Sequence, residues 1–197
     1  MNRINKLFQD KKENILSIYF CAGHPTLEGT ADTIRTLERK GVEMIEIGIP
    51  FSDPLADGPV IQDAATKALR NGMSLKKLFA QLEGIRQPIG ETDGNSGSER
   101  PVPALTMGGQ GVNIPLILMG YMNPILRYGY EAFFKKMAEL DLDGVIMPDL
   151  PFKDYLEEVK PIADRYDIRV IMLITPETSD DRIRFIDQHT DGFIYMV

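Results

Sequence analysis

Apolar positions along the chain switch between two periods. Ile4, Leu7 and Phe8 recur at helical spacing, which predicts a short amphipathic helix over 2–12. A β-branched and aromatic run over 15–21 reads as a first strand, broken by Ala22-Gly23-His24-Pro25. Helical spacing returns over 26–40, with Thr26 or Thr30 as cap and Ile34 and Leu37 facing inward, until Gly41 ends it. Residues 42–49 are mostly apolar and β-branched, as in a strand buried on both faces. Two helical patterns follow over 60–70 and 74–86, split by Asn71-Gly72, with Ser74 capping the second. Then come strand 114–119, a helix from 126 or 130 to 140, strand 144–147, helix 152–165, strand 169–174, helix 180–189, and a sixth strand over 192–197.

Strands that alternate with helices imply parallel βαβ units. An open doubly wound sheet and a closed eightfold barrel both fit that alternation. The dinucleotide glycine fingerprint is missing, since Met107-Gly108-Gly109-Gln110-Gly111 precedes a strand instead of following one. Residues able to carry chemistry recur at the C-terminal ends of successive strands, which is the barrel's habit. The expected fold class is therefore α/β, a (β/α)8 TIM barrel. Such a barrel takes roughly 250 residues and eight strands, whereas this chain has 197 residues and six predicted strands. The expectation is one partial barrel domain over 1–197, truncated after about six strands. Residues 88–113, rich in Gly, Ser, Asn and Pro, fall where connections are usually short, and predict a flexible insert.

Composition narrows the partners. Hydrophobic content of 43% and charged content of 26% suit an ordinary globular chain. A net charge of −7 argues against nucleic acid and anionic membrane. It leaves room for an anionic substrate held by backbone N–H groups. The single cysteine, Cys21, allows no internal disulfide and fits a reducing cytoplasm. The first residues lack the apolar core of a signal peptide, and no apolar run approaches a membrane span.

One position breaks the second strand's pattern. Glu46 sits inside an apolar run, where an unpaired charge is costly, so it must be neutralised, paired or turned to a polar cavity. Past Gly48 the chain becomes a turn-rich loop carrying Asp53 and Asp57. A buried acid at a strand end beside an acid-bearing loop suits acid–base chemistry. The plainer alternative is a core strand followed by a solvated turn. His24 and His189 are far apart in sequence and neither has metal-ligand spacing, so no metal is expected.

The stretch Glu46-Ile47-Gly48-Ile49-Pro50-Phe51-Ser52-Asp53-Pro54-Leu55-Ala56-Asp57-Gly58-Pro59 resembles the signature of the tryptophan synthase alpha subunit nearly residue for residue. Similar in the same way are Tyr19-Phe20 with Gly23-His24-Pro25, then Leu118-Met119-Gly120-Tyr121-Met122-Asn123-Pro124. So is Gly144-Val145-Ile146-Met147-Pro148-Asp149-Leu150-Pro151. The resemblance covers almost all of the chain outside 88–113.

It implies a lyase that splits indole-3-glycerol phosphate into indole and glyceraldehyde 3-phosphate by a retro-aldol reaction. In the overall reaction scheme it falls in the carbon–oxygen class. Glu46 matches the family's catalytic glutamate, a proton shuttle. Asp57 matches its second acid, which would accept the indole N–H. Phe20, Ile61, Met119, Tyr121, Ile146, Pro148 and Tyr195 match positions that line the substrate pocket, though each reads equally as core. Asp149 is expected to make a structural hydrogen bond, Cys21 to be inert packing, and His24 to be a loop residue.

The resemblance further implies a cytoplasmic protein that assembles with a beta subunit in an alpha2-beta2 complex. Asp53 and Pro54 are the expected contacts. The alpha subunit needs no cofactor, since pyridoxal phosphate belongs to the beta subunit. The phosphate grip and a mobile lid would lie beyond Val197, so the 197-residue piece alone is expected to be inactive. Two other readings remain: a different phosphate-sugar barrel enzyme, or a degenerate regulatory subunit. The first would want a lysine at a strand end, where Lys40, Lys67 and Lys76 are poorly placed. Intact Glu46 and Asp57 argue against the second.

Overall fold

The computed structural model describes residues 1–88 and 111–197; the expected insert at 88–113 falls almost wholly outside them. Six strands form one sheet: β1 (Ser17–Cys21), β2 (Met44–Gly48), β3 (Leu116–Met119), β4 (Gly144–Ile146), β5 (Arg169–Ile174) and β6 (Ile194–Met196). Their spatial order is their chain order, and every pair is parallel. A doubly wound sheet would reverse order at a switch point. An unreversed order instead curls the sheet one way, into a half-barrel.

The two faces of the sheet bury different partners. The outer layer gathers Ile45, Ile47, Leu116, Leu118, Val145 and Val170 against the helices. These helices are α2 (Thr30–Arg39), α3 (Pro59–Arg70), α4 (Leu75–Leu82), α5 (Met122–Tyr128), α6 (Tyr130–Glu139), α7 (Phe152–Asp154), α8 (Lys160–Arg165) and α9 (Asp180–His189). The inner cluster is smaller: Met44, Ile117, Ile146 and Ile171, closed by Ile4, Leu7 and Phe8 of α1 (Arg3–Asp10). α1 thus plugs the concave side. Asn2 caps it by accepting from Ile4 N–H at 2.9 Å, and its amide donates to Asp143 O and Asp167 O, both at 2.8 Å.

The periodic pattern located every strand and most helices, and departures have local causes. Ser74 caps α4 as expected, accepting from Lys77 N–H at 3.3 Å. α2 starts at Thr30 behind Gly29, which makes no side-chain cap, so neither Thr26 nor Thr30 serves as one. α5 is a separate helix that periodicity missed, because Gly129 at φ 93° breaks it from α6. The segment expected as one helix over 152–165 widens into a π turn at Tyr155–Val159 between α7 and α8. Pro161 explains the widening: it has no N–H to offer Glu157 O, and its ring crowds that carbonyl.

Candidate active site

Strand register decides which side chains share a face with Glu46. Tyr19 pairs with Glu46 and Glu46 with Ile117; Gly48 pairs with Met119 and Met119 with Ile146. Ile146 pairs in turn with Ile171, and Leu173 with Tyr195. Side chains two apart on a strand point the same way. Tyr19, Glu46, Ile117, Met119, Ile146 and Tyr195 therefore stand together on the concave face.

Phe20 does not join them. It pairs with Ile47 and packs in the outer layer, so the aromatic residue facing the site from β1 is Tyr19. The strand is partly buried along both sides, and an apolar run of that kind does not reveal which neighbour points inward.

Glu46 is 4% exposed, and its Oε1 accepts a hydrogen bond from Ser17 Oγ at 2.6 Å. Gly48, two residues on, lies under the Tyr19 ring. A Cβ at that position would stand 2.2 Å from the Tyr19 hydroxyl, so glycine is what lets the phenol cross the strand.

The loop that follows is fastened from two sides. Phe51 stacks on Tyr121 with ring centroids 5.0 Å apart. The Tyr121 hydroxyl accepts from Ala56 N–H at 3.0 Å and donates to Asp57 Oδ2 at 3.2 Å. Gln62, in the first turn of α3, holds the loop from the other side by donating to Asp57 O at 2.9 Å. Asp57 is half-buried, while Asp53 beside it is exposed and Pro54 half-buried.

The phenols register these acids electrically. Burial pushes the Tyr19 hydroxyl well above the ordinary phenol range, with Cys21, Asp57, Tyr121 and Glu46 adding to the shift. Burial raises Tyr121, helped by Asp57 and opposed by the Ala56 N–H bond. Burial also raises Tyr195, with Glu46 contributing. The Cys21 thiol is pushed up to about 11 by burial and by Asp57, which leaves it protonated and unreactive.

The remaining expected positions sort as follows. Ile61, opening α3, and Pro148, two residues past β4, stand half-buried at the C-terminal rim. Asp149 accepts from Met122 N–H at 2.8 Å, fastening the start of α5. Among the described residues no group of three His, Cys, Asp or Glu side chains is placed to hold a metal ion. No described helix is long and apolar enough to cross a membrane. An open groove of about 810 Å³ follows the outer side of the loop, lined by Pro50, Phe51, Ser52, Asn123, Pro124 and Arg127; Glu46 does not line it. Sequence reasoning missed Ser17 and Tyr19. The period-two alternation from Glu46 could have found Tyr19 once the register was known.

A family pattern described as the tryptophan synthase alpha chain matches residues 5–92 and 104–197. The chain belongs to that family. Residues 93–103, inside the segment set apart by composition, are left unmatched between the two stretches of the tryptophan synthase alpha chain pattern. The alpha chain of Phocaeicola vulgatus is 61% identical over 197 residues, covering 100% of this chain and 67% of the relative. That of Flavobacterium johnsoniae is 51% identical, with coverage of 100% and 68%.

The crystal structure of the alpha subunit from Legionella pneumophila superposes with a TM-score of 0.81 at 34% identity, over 100% of this chain and 68% of that one. Tryptophan synthase from M. tuberculosis in its aminoacrylate-bound form gives 0.79 at 26% identity, over 100% and 71%. The chain spans about two thirds of the length of the relatives it matches. Its half-barrel is the corresponding part of the alpha chain TIM barrel, as its alternating pattern implied.

Proposed function

We propose that this protein cleaves indole-3-glycerol phosphate to indole and glyceraldehyde 3-phosphate, with Glu46 and Asp57 as its acid–base pair. The observation that carries the reading is the place of Tyr19: it stands beside Glu46 in register on the concave face, and its hydroxyl reaches over Gly48, where the loop bearing Asp57 departs. The cleavage breaks the bond between indole C3 and the glycerol phosphate side chain. The electron pair stays with C3, which takes a proton, while the adjacent side-chain hydroxyl loses one as the aldehyde forms.

Glu46, in a site nearly closed to water, serves both transfers. Asp57 accepts the indole N–H as positive charge builds on the ring, and the Tyr121 hydroxyl fixes its orientation at 3.2 Å. Met119, Ile146 and Tyr195 wall the indole. Ile61 and Pro148 stand at its rim.

The loop also suits a partner. Leu55 is 91% exposed and lies between Asp53 and Asp57, on the loop whose Phe51 and Ser52 line the groove. On this reading a beta subunit, carrying its own pyridoxal phosphate, docks against Asp53 and Pro54 in an alpha2-beta2 complex in the cytoplasm. The alpha chain contributes no cofactor.

Glu46→Gln in the full-length protein is expected to lower indole release by about 10²–10⁴-fold. Asp57→Asn should lower it less, because its part is electrostatic. Circular dichroism should show both variants folded. Near-normal indole release by Glu46→Gln would overturn the assignment.

A further inference from the structure

We infer that Ser17 is a positioning residue for Glu46, fixing which carboxylate oxygen meets the substrate; this rests on the acid–base role proposed for Glu46. The bond is diagonal across the two strands. Ser17 pairs in register with Met44, and Glu46 with Tyr19. To reach Ser17 Oγ at 2.6 Å, the carboxylate leans toward the N-terminal end of its strand. Oε1 is thereby occupied. Among the described residues no other donor bonds either oxygen and no cation pairs with the group. Of its remaining neighbours on the same face, Met44, Gly48 and Ile117 offer no polar side chain, and the hydroxyl of Tyr19, its partner in register, reaches past it to lie over Gly48.

One small hydroxyl therefore does two things. It supplies the hydrogen bond that a carboxylate 4% exposed would otherwise lack, and it limits rotation about the carboxylate's last bond. Oε2 is left as the oxygen free for proton transfer. A hydrogen bond to a charged group, once removed, costs on the order of ten- to a hundredfold in rate if it acts in the transition state.

The test uses Ser17→Ala and Ser17→Thr in the full-length protein. Infrared difference spectra first assign the Glu46 carboxylate bands as those lost in Glu46→Gln. Ser17→Ala should shift these bands, and Ser17→Thr, which keeps the hydroxyl, should hold them. In the indole-release assay Ser17→Ala should lower kcat about ten- to a hundredfold with KM within about twofold, and Ser17→Thr should recover most of it. In a Glu46→Gln background Ser17→Ala should change nothing further. Unmoved bands would overturn the hydrogen bond. A band shift with unchanged kcat, or Ser17→Thr as impaired as Ser17→Ala, would overturn the positioning role. The infrared arm needs no turnover, so it can fail independently of the proposed reaction.

Discussion

Asp143 and Glu46 are carboxylates buried to 2% and 4% exposure on the same sheet, and they are furnished in opposite ways. Asp143 stands just before β4, at the end where the strands begin. Arg86 reaches its Oδ2 at 2.6 Å, Arg3 reaches Oδ1 at 3.0 Å, and Leu116 N–H adds a bond at 2.9 Å. Arg86 also donates to the carbonyls of Asp141, Val112 and Ile114. Glu46 has one serine hydroxyl. Burial alone therefore does not mark a reactive acid. An acid whose lone pairs are filled by cations and N–H groups is part of the frame, while one left with a single hydroxyl partner suits the proton exchange proposed for Glu46.

The sharpest break of that contrast is to remove each acid in turn and measure stability instead of rate. Asp143→Ala leaves the Arg86 guanidinium buried without its counter-charge and should cost about 3–5 kcal/mol in urea unfolding. Glu46→Gln should cost no more than about 1 kcal/mol, since the amide still accepts from Ser17. Equal losses would erase the distinction between the two ends.

A smaller effect sharpens the Glu46 side. Gly48→Ala would put a methyl 2.2 Å from the Tyr19 hydroxyl, and the flexible phenol is the group that must yield. The expected loss of stability is about 1 kcal/mol, with a larger fall in indole release as Tyr19 leaves the concave face. Unchanged turnover would show that Tyr19 is a bystander to the acids it adjoins.

The smallest effect belongs to the frame's outer rim. The Arg3 hydrogen bond holds the Asp141 carboxyl below the usual range, with burial opposing and the charges of Arg3 and Arg86 assisting. A carboxyl lowered on folding stabilises the protein above its unfolded value, about 3.9. That contribution disappears as pH falls through the lower folded value. Urea midpoints should thus stay level from pH 7 to about 5 and decline below about 4. Because Asp141 is 57% exposed, solvent screening keeps its share near 0.5 kcal/mol. Arg3→Gln should flatten that part of the decline.

These pairs also show what the sequence could display. Glu46 was legible because an acid interrupts an apolar run, and Asp57 because it sits on a turn-rich loop after a strand. Alternation of periods revealed six parallel strands and most of their helices. Ser17 was not legible, because its partner lies 29 residues away and the bond depends on register. The same holds for Arg86 and Asp143, 57 residues apart. The resemblance points to Phe20, yet the register turns Tyr19 to the concave face. That turn was not legible, because both faces of β1 are partly covered by apolar neighbours. No polar alternation tells one side from the other.

The plug helix has a consequence for how the chain is assembled during synthesis. Asn2 binds carbonyls 141 and 165 residues further along, on the approaches to β4 and β5. At about 5–20 residues per second, α1 waits on the order of ten seconds before its seat exists. Through that interval Ile4, Leu7 and Phe8 have no concave wall to enter. The helix made ahead of the whole sheet cannot be seated until five of the strands are in place, so closure of the inner face is a late, long-range event.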